Sequence, residues 1–234
     1  MLAIVVITYN IPADVFLLQT EAIKKFCKDK YELFVVDNSS KEEMSVDIRY
    51  HATRLGLNYI RTKASSVDSS DSHAWAANFI YKKLQKKYSF FLFLDHDCIP
   101  IKEFSVQKIL GHGDKSIAGV GQGKQKTYFW PGCVMWCEED MQNDLIDFSP
   151  NNTYGLDTGG ELYRVVDLLG KDVCVFFDEA YCENPHFKGK YNNYALLNDG
   201  MFLHFINGSN WNKETNNTER INSLINVTRE LSGL

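Results

Sequence analysis

Asp95 and Asp97, separated by His96, follow the run Phe90-Phe91-Leu92-Phe93-Leu94. Two carboxylates at i and i+2 repel each other unless a cation lies between or beside them. A hard divalent ion, Mg²⁺ or Mn²⁺, is their natural partner, and it usually keeps substrate phosphates as further ligands. An ordinary polar loop after a strand also produces such triplets, so the context decides. The apolar run before the triplet reads as a strand buried on both faces. Pro100 punctuates the chain soon after. Such a strand delivers both carboxylates to one edge of a sheet, where open α/β folds bind their ligands.

The elements that must position this pair alternate regularly. Residues 2–7 form a β-branched run that reads as a buried parallel strand, followed by Thr8, Tyr9 and Asn10. Pro12 stands near the start of a helix whose inward face carries Val15, Leu18, Ala22 and Phe26. A second strand, residues 31–36, ends in Asp37-Asn38-Ser39-Ser40 and completes a βαβ unit of right-handed connection. Residues 57–60 read as a short strand and residues 61–72 as a polar loop. A helix follows with Ala76, Phe79, Ile80 and Leu84 inward and Ser72 available as its cap. The pattern predicts an α/β fold with a mostly parallel central sheet and helices on both faces.

The second half is less regular. Residues 116–120, 127–136, 173–177 and 201–206 read as strands. Gly119-Val120-Gly121-Gln122-Gly123-Lys124 is no phosphate loop, since Gln125 stands where Ser or Thr is needed and no helical pattern follows. A bulge or close backbone approach accounts for it. Asp157-Thr158-Gly159-Gly160 leads a helix with Leu162, Val165, Val166 and Leu169 inward and Gly170 just past its end. Residues 178–194 read as a polar, aromatic loop. A final helix places Ile221, Leu224, Ile225 and Leu231 together.

Composition narrows the function classes. The 234 residues are 44% hydrophobic and 24% charged, which is globular and not disordered. Residues 1–234 read as one domain, without linker or repeat. A net charge of −5 without a dominant basic block argues against nucleic acid as a partner. Lys82, Lys83, Lys86 and Lys87 fit a solvated helix face. The six cysteines are scattered and read as reduced core residues; Cys133 and Cys137 lack the second ligand pair of a zinc site. No basic leader precedes residues 2–7, and no stretch reaches the ~18 apolar residues of a membrane span. A cytoplasmic protein is expected, in which Asn207-Gly208-Ser209 carries no glycan.

Ile4-Val5-Val6-Ile7-Thr8-Tyr9-Asn10, Val35-Val36-Asp37-Asn38-Ser39-Ser40 and Phe93-Leu94-Asp95-His96-Asp97 together resemble family 2 glycosyltransferases of the GT-A fold. The three motifs occur in the family's order at strand ends, and cover about the first hundred residues. The resemblance implies a nucleotide-sugar donor bound by residues 1–100 and an acceptor bound by residues 101–234. Thr8, Tyr9 and Asn10 would line the base and ribose pocket. Asp37 would accept a hydrogen bond from the base, or else close its strand with an Asx-turn. Asp95 and Asp97 would manage ribose and a divalent metal, Mn²⁺ or Mg²⁺, with Asp97 the more direct ligand. His204 would complete the metal site, or stand as a satisfied core histidine. His73 and Asn78 could face the donor from their helix.

The family inverts configuration, so the acceptor hydroxyl needs a general base. Asp157 occupies that place, although the family's usual paired acids are absent and Asp157 is also a good helix N-cap. Glu161, Asp178 and Glu179 are reserves. Trp130, Pro131 and Gly132 resemble the acceptor-side strand, where an aromatic face stacks on a sugar. The implied acceptor is a glycan or lipid-linked saccharide, as in polysaccharide biosynthesis, which leaves room for peripheral membrane association. Two competing readings use the same scaffold: a non-catalytic nucleotide- or carbohydrate-binding module, and a sugar nucleotidyltransferase. The latter is disfavoured because Thr8-Tyr9-Asn10 replaces a glycine-rich phosphate loop.

Overall fold

The computed structural model describes residues 1–62, 69–111, 114–141, 145–188, 193–206 and 217–234. The Asn207-Gly208-Ser209 triplet and residues 63–68 of the expected loop lie outside the described residues. In chain order the elements are β1 (Leu2–Thr8), α1 (Ala13–Phe26), β2 (Tyr31–Asp37), α2 (Glu42–Arg54), β3 (Asn58–Arg61), α3 (Ser69–Leu84), β4 (Phe90–Asp95), β5 (Cys98–Pro100), α4 (Val106–Ile109), β6 (Ile117–Gln122), β7 (Tyr128–Cys137), α5 (Tyr163–Leu169), β8 (Cys174–Phe176), β9 (Glu179–Glu183), β10 (Asn193–Leu197), β11 (Phe202–Phe205) and α6 (Asn217–Ser232).

β1 is buried along its whole length. Leu2, Ile4 and Val6 enter one core with Val15, Leu18 and Ala22 of α1 and Leu224 and Val227 of α6. Ala3, Val5 and Ile7 enter a second core with Ala74, Ala76, Ala77 and Ile80 of α3. The two-residue period of the strand divides its side chains between two helix layers, so helices cover both faces of the sheet. β1 pairs in parallel with β2 and with β4, placing Thr8 opposite Asp37 and Ile7 opposite Asp95. Three polar strand ends therefore share one edge.

Among the described residues the central sheet has seven strands in the order β3-β2-β1-β4-β7-β6-β8. It is mostly parallel, and its direction reverses at β7, which is antiparallel to both β4 and β6. Leu94 pairs with Cys133. The residues of β7 before Cys133 therefore run past the end of β4 at the edge that carries Asp95. A second, antiparallel sheet has the order β5-β11-β10-β9 and begins directly after the acidic triplet.

Several elements depart from the sequence reading for local reasons. α2 went unpredicted because only Ser45, Ile48 and Ala52 are buried on it, too sparse an apolar stripe to show a period. Residues 178–194 hold β9 and the start of β10; β9 is almost wholly exposed and so carries no alternation. Pro100 lies within β5, tolerated because β5 is the edge of its sheet and Pro needs no ladder donor there. Ser72 lies inside α3, which starts at Ser69, and so is not its cap. Leu231 is exposed, and Val227 takes the inward place expected for it. All six cysteines are free thiols.

The glycine-rich stretch is a bulge: the β6–β7 register shifts between Gly119 and Gly121. A Cβ on Gly119 would stand 2.5 Å from the Cys133 carbonyl oxygen and 3.0 Å from Val134 Cα, both rigid backbone atoms. Gly119→Ala is therefore expected to cost about 2–4 kcal/mol, since strand β7 must move to admit one methyl group. Urea melting of the variant beside the parent checks this.

Candidate active site

The acidic turn is held from several elements. Gln19, buried on α1, donates from Nε2 to the Asp95 carbonyl at 2.7 Å and to the Cys98 carbonyl at 2.8 Å. The Phe205 amide donates to the Asp97 carbonyl at 2.8 Å. His96 points back into the fold, its Nδ1 3.4 Å from the Ile7 carbonyl. Burial pushes the His96 imidazole down to about 4, against the pull of Asp95, so it is neutral at pH 7.

Asp95 faces His73 of α3, with Oδ1 and Nε2 2.8 Å apart. Burial by itself would raise the Asp95 carboxyl, but the His73 charge and hydrogen bond hold it below its ordinary value. Burial would likewise lower His73; Asp95, then Asp97 and Asp157, raise it overall. The two partners thus keep each other ionised. Asp157 stands next to Thr158, whose hydroxyl bonds the Ser70 carbonyl of α3, the helix that carries His73.

His204 stands opposite Cys98 in the β11–β5 ladder, next to the acidic turn. Burial lowers its imidazole, and the pull of Asp97 and Asp95 does not reverse this, which leaves a neutral ring with a free nitrogen lone pair. The Trp130 ring lies against it, centroids 4.2 Å apart at 36°. Trp130 can lie along β7 because Gly132, on the same strand face, has no Cβ; one there would overlap the indole. Among the described residues no three His, Cys, Asp or Glu side chains already stand together as a metal site.

Asp157 is exposed and accepts a hydrogen bond from the Thr158 amide at 2.7 Å. Thr158 Oγ1 donates to the Ser70 carbonyl of α3 at 3.2 Å, and Gly159 packs against Pro131 so closely that a Cβ would press on its ring. The helix expected to begin at Asp157 begins at Tyr163, after a 3₁₀ turn over Gly160–Leu162 with Gly159 at φ 83° before it. Asp157 therefore caps no helix, and that explanation of it falls away. Gly170, at φ 84°, ends α5 as expected. The reserve acids are engaged elsewhere: Glu161 with Asn151, Asp178 with the Asp199 amide and Glu179 with Tyr181.

On the donor side Asp37 is fully buried and densely bonded. Its Oδ2 accepts from Ser45 at 2.5 Å, Tyr59 at 2.8 Å and Arg61 at 2.9 Å, and its Oδ1 from the Ser39 amide at 2.9 Å and Thr8 at 3.5 Å. Burial opposes ionisation, but the Ser39, Ser45 and Tyr59 hydrogen bonds hold the carboxyl below its ordinary value. Asn10, at φ 49°, donates from its amide to Ser39 and from Nδ2 to Ser40, and its Oδ1 accepts from the Lys41 amide. Thr8 and Asn10 thus join the loops after β1 and β2, while Tyr9 is half-exposed with its hydroxyl 3.4 Å from Ser40. Asn78 holds the 147–149 segment through Asp147, Ser149 and the Phe148 amide, and does not turn to the donor side.

Sequence reasoning missed Gln19, Ser45, Tyr59 and Arg61. For Gln19 a signal existed: it stands one turn after Val15 on the apolar face of its helix. For the others no signal existed, because they meet Asp37 only through the fold.

No family model matches the chain, and no curated protein matches its sequence. Some solved structures are similar. A mannosyltransferase from Pyrobaculum calidifontis, PcManGT, in complex with GDP-Man and Mn²⁺, aligns over 59% of this chain and 44% of its own, at 16% identity and a TM-score of 0.44. WbbM, a bifunctional glycosyltransferase in its apo form, aligns over 75% of this chain and 38% of its own, at 11% identity and a TM-score of 0.45. TarS from S. aureus aligns over 63% of this chain and 30% of its own, at 16% identity and a TM-score of 0.42. The chain thus spans less than half the length of each of these structures. Likeness at this level decides neither activity nor ligand. Among the described residues no helix is long and apolar enough to cross a membrane.

The Asp37 cluster has a pH signature. Its folded-state ionisation lies below the unfolded value of ~3.9. Its contribution is therefore complete above that value and is lost as pH falls through the folded one. Asp37→Asn should cost about 2–4 kcal/mol at pH 7, through weakened charge-assisted bonds from Ser39, Ser45 and Tyr59 and the lost ion pair with Arg61. Melting curves from pH 7 to pH 3 should show the gap to the parent protein shrinking at the acid end.

Proposed function

We propose that this chain transfers a sugar from a nucleotide-sugar donor to an acceptor hydroxyl, with inversion and with a divalent metal. The observation that carries the reading is convergence. One turn presents Asp95 and Asp97, His204 lies in the strand beside them, and Trp130 and Asp157 approach from the second half of the chain. Carboxylates, a neutral imidazole and an aromatic face are the groups that nucleotide-sugar chemistry requires in one place.

Asp95, Asp97 and His204 would hold Mn²⁺ or Mg²⁺, whose charge would offset that gathering on the departing nucleoside diphosphate. Two carboxylates and a neutral imidazole are a donor set that fits such an ion chemically. Tyr9 is half-exposed beside the loops that Asn10 and Ser40 join, and would lie against the base and ribose. Asp37 keeps that floor rigid, and would greet a base directly only by giving up one of its present donors. Trp130 offers its ring face to a sugar. Asp157 takes the proton of the attacking hydroxyl. The donor belongs to residues 1–100 and a glycan or lipid-linked acceptor to residues 101–234, within one domain.

Asp97→Ala should abolish metal-dependent nucleotide binding while the protein stays folded, because removing one of two like charges relieves repulsion. Calorimetry with UDP, GDP, dTDP and CMP, with and without Mn²⁺, reads this; unchanged Mn²⁺ dependence in the variant refutes the metal assignment. Asp157→Asn separates base from bystander. An amide cannot take a proton, so transfer should drop ~10²–10⁴-fold with melting and donor binding unchanged. Single-turnover transfer at the parent rate would instead send the search for the base elsewhere.

A further inference from the structure

We infer that Gln19 is the positioning residue of the acidic turn, the side chain that sets how Asp95 and Asp97 stand relative to each other. The inference rests on the reading of those two carboxylates as the metal-facing pair. Gln19 is 1% exposed, on the face of α1 that also buries Val15, Leu18, Ala22 and Ile23. A primary amide in such surroundings is costly unless its polar atoms are bonded. Its two N–H groups are: Nε2 donates to the carbonyls of Asp95 and Cys98 at 2.7 and 2.8 Å. The orientation of the amide follows from chemistry, because the flipped form would set Oε1 against two carbonyl oxygens, acceptor against acceptor. Oε1 itself has no hydrogen-bond partner among the described residues. The fold therefore tolerates a buried, unsatisfied acceptor in order to keep two donors at this turn. Methionine would fill the same volume without the orphaned acceptor, but would withdraw the donor from both carbonyls.

The two carbonyls bracket the turn, one at the end of β4 and the other at the start of β5. A donor bridging both fixes the distance across the turn. It thereby fixes the backbone from which both carboxylates project, against the repulsion that would splay them. The other ties act on different atoms: the Phe205 amide on the Asp97 carbonyl and His96 on Ile7. Gln19 alone among these spans the turn from end to end. In metal sites, contacts that orient the ligands are commonly worth 10–100-fold in metal affinity.

The test compares the parent protein with Gln19→Met and the isosteric Gln19→Glu, which keeps the shape but can donate to at most one of the two carbonyls. Mn²⁺ alone is titrated by electron paramagnetic resonance, and hydrogen exchange is followed without metal. For both variants the expected result is Mn²⁺ affinity down ~10–100-fold, faster exchange confined to the peptide over residues 95–98, and for Gln19→Met a melting point lowered by no more than the loss of two hydrogen bonds explains. Gln19→Met with Mn²⁺ affinity within about twofold of the parent and unchanged exchange at the turn overturns the inference. So does exchange that rises throughout the protein, which would make Gln19 an ordinary core residue. A parent protein that binds no Mn²⁺ overturns the functional reading instead, and the exchange experiment still judges the clamp by itself.

Discussion

Two carboxylates two residues apart at the end of a buried strand repel one another, and much of the surrounding structure answers that repulsion. The turn that carries them is tied by Gln19 from α1, by the Phe205 amide from β11 and by His96 folded back on β1. Asp95 is compensated by His73, which α3 supplies from across the sheet edge. Apart from His96, none of these partners is near Asp95 in sequence. The acidic pair is thus a tertiary product: it requires α1, α3, β1 and β11 to be in place at once. Electrostatic strain of this kind is tolerable in a rigid setting, and a rigid setting is what charge neutralisation during group transfer needs.

The reversal of strand direction between β4 and β7 gives the edge its second side. In a wholly parallel sheet every strand would end here. Because β7 runs the other way, it starts here, and brings Trp130 and Pro131 to the place where β4 delivers Asp95. Pro131 then seats Gly159, whose close packing carries Asp157 into the same region. Acid, imidazole and aromatic ring thereby come from two halves of the chain that share no local contact.

The parallel half of the fold was legible because buried strands announce themselves. Leu2–Thr8 and Phe90–Asp95 are nearly unbroken apolar runs, and the polar residues that follow them mark strand ends. The same logic put Asp95 at the end of its strand and Asp97 in the turn that follows. It failed where burial is thin. β9 faces solvent, and α2 buries few residues, so neither has a period to read. It also failed for Asp157, where good capping chemistry suggested a helix that starts six residues later; Gly159 in the left-handed region interrupts it. For Asp37 the residue was found but not its surroundings. The hydroxyls and guanidinium around it come from α2, β3 and the end of β1, a set that only folding assembles.

β1 is the most buried strand of the sheet, and it has consequences for how the chain is made. One of its edges is satisfied early, when β2 follows through α1. The other must wait, since Leu2 pairs with Phe90. A ribosome releases the chain from its amino end, so Leu2–Thr8 spends the synthesis of α2, β3 and α3 with one row of amide and carbonyl groups unpaired. That row belongs to an uncharged segment without proline or glycine, the kind that pairs readily with other copies. The nascent chain therefore passes through a sticky stage that ends only when β4 emerges, and slow translation between the two strands would prolong it.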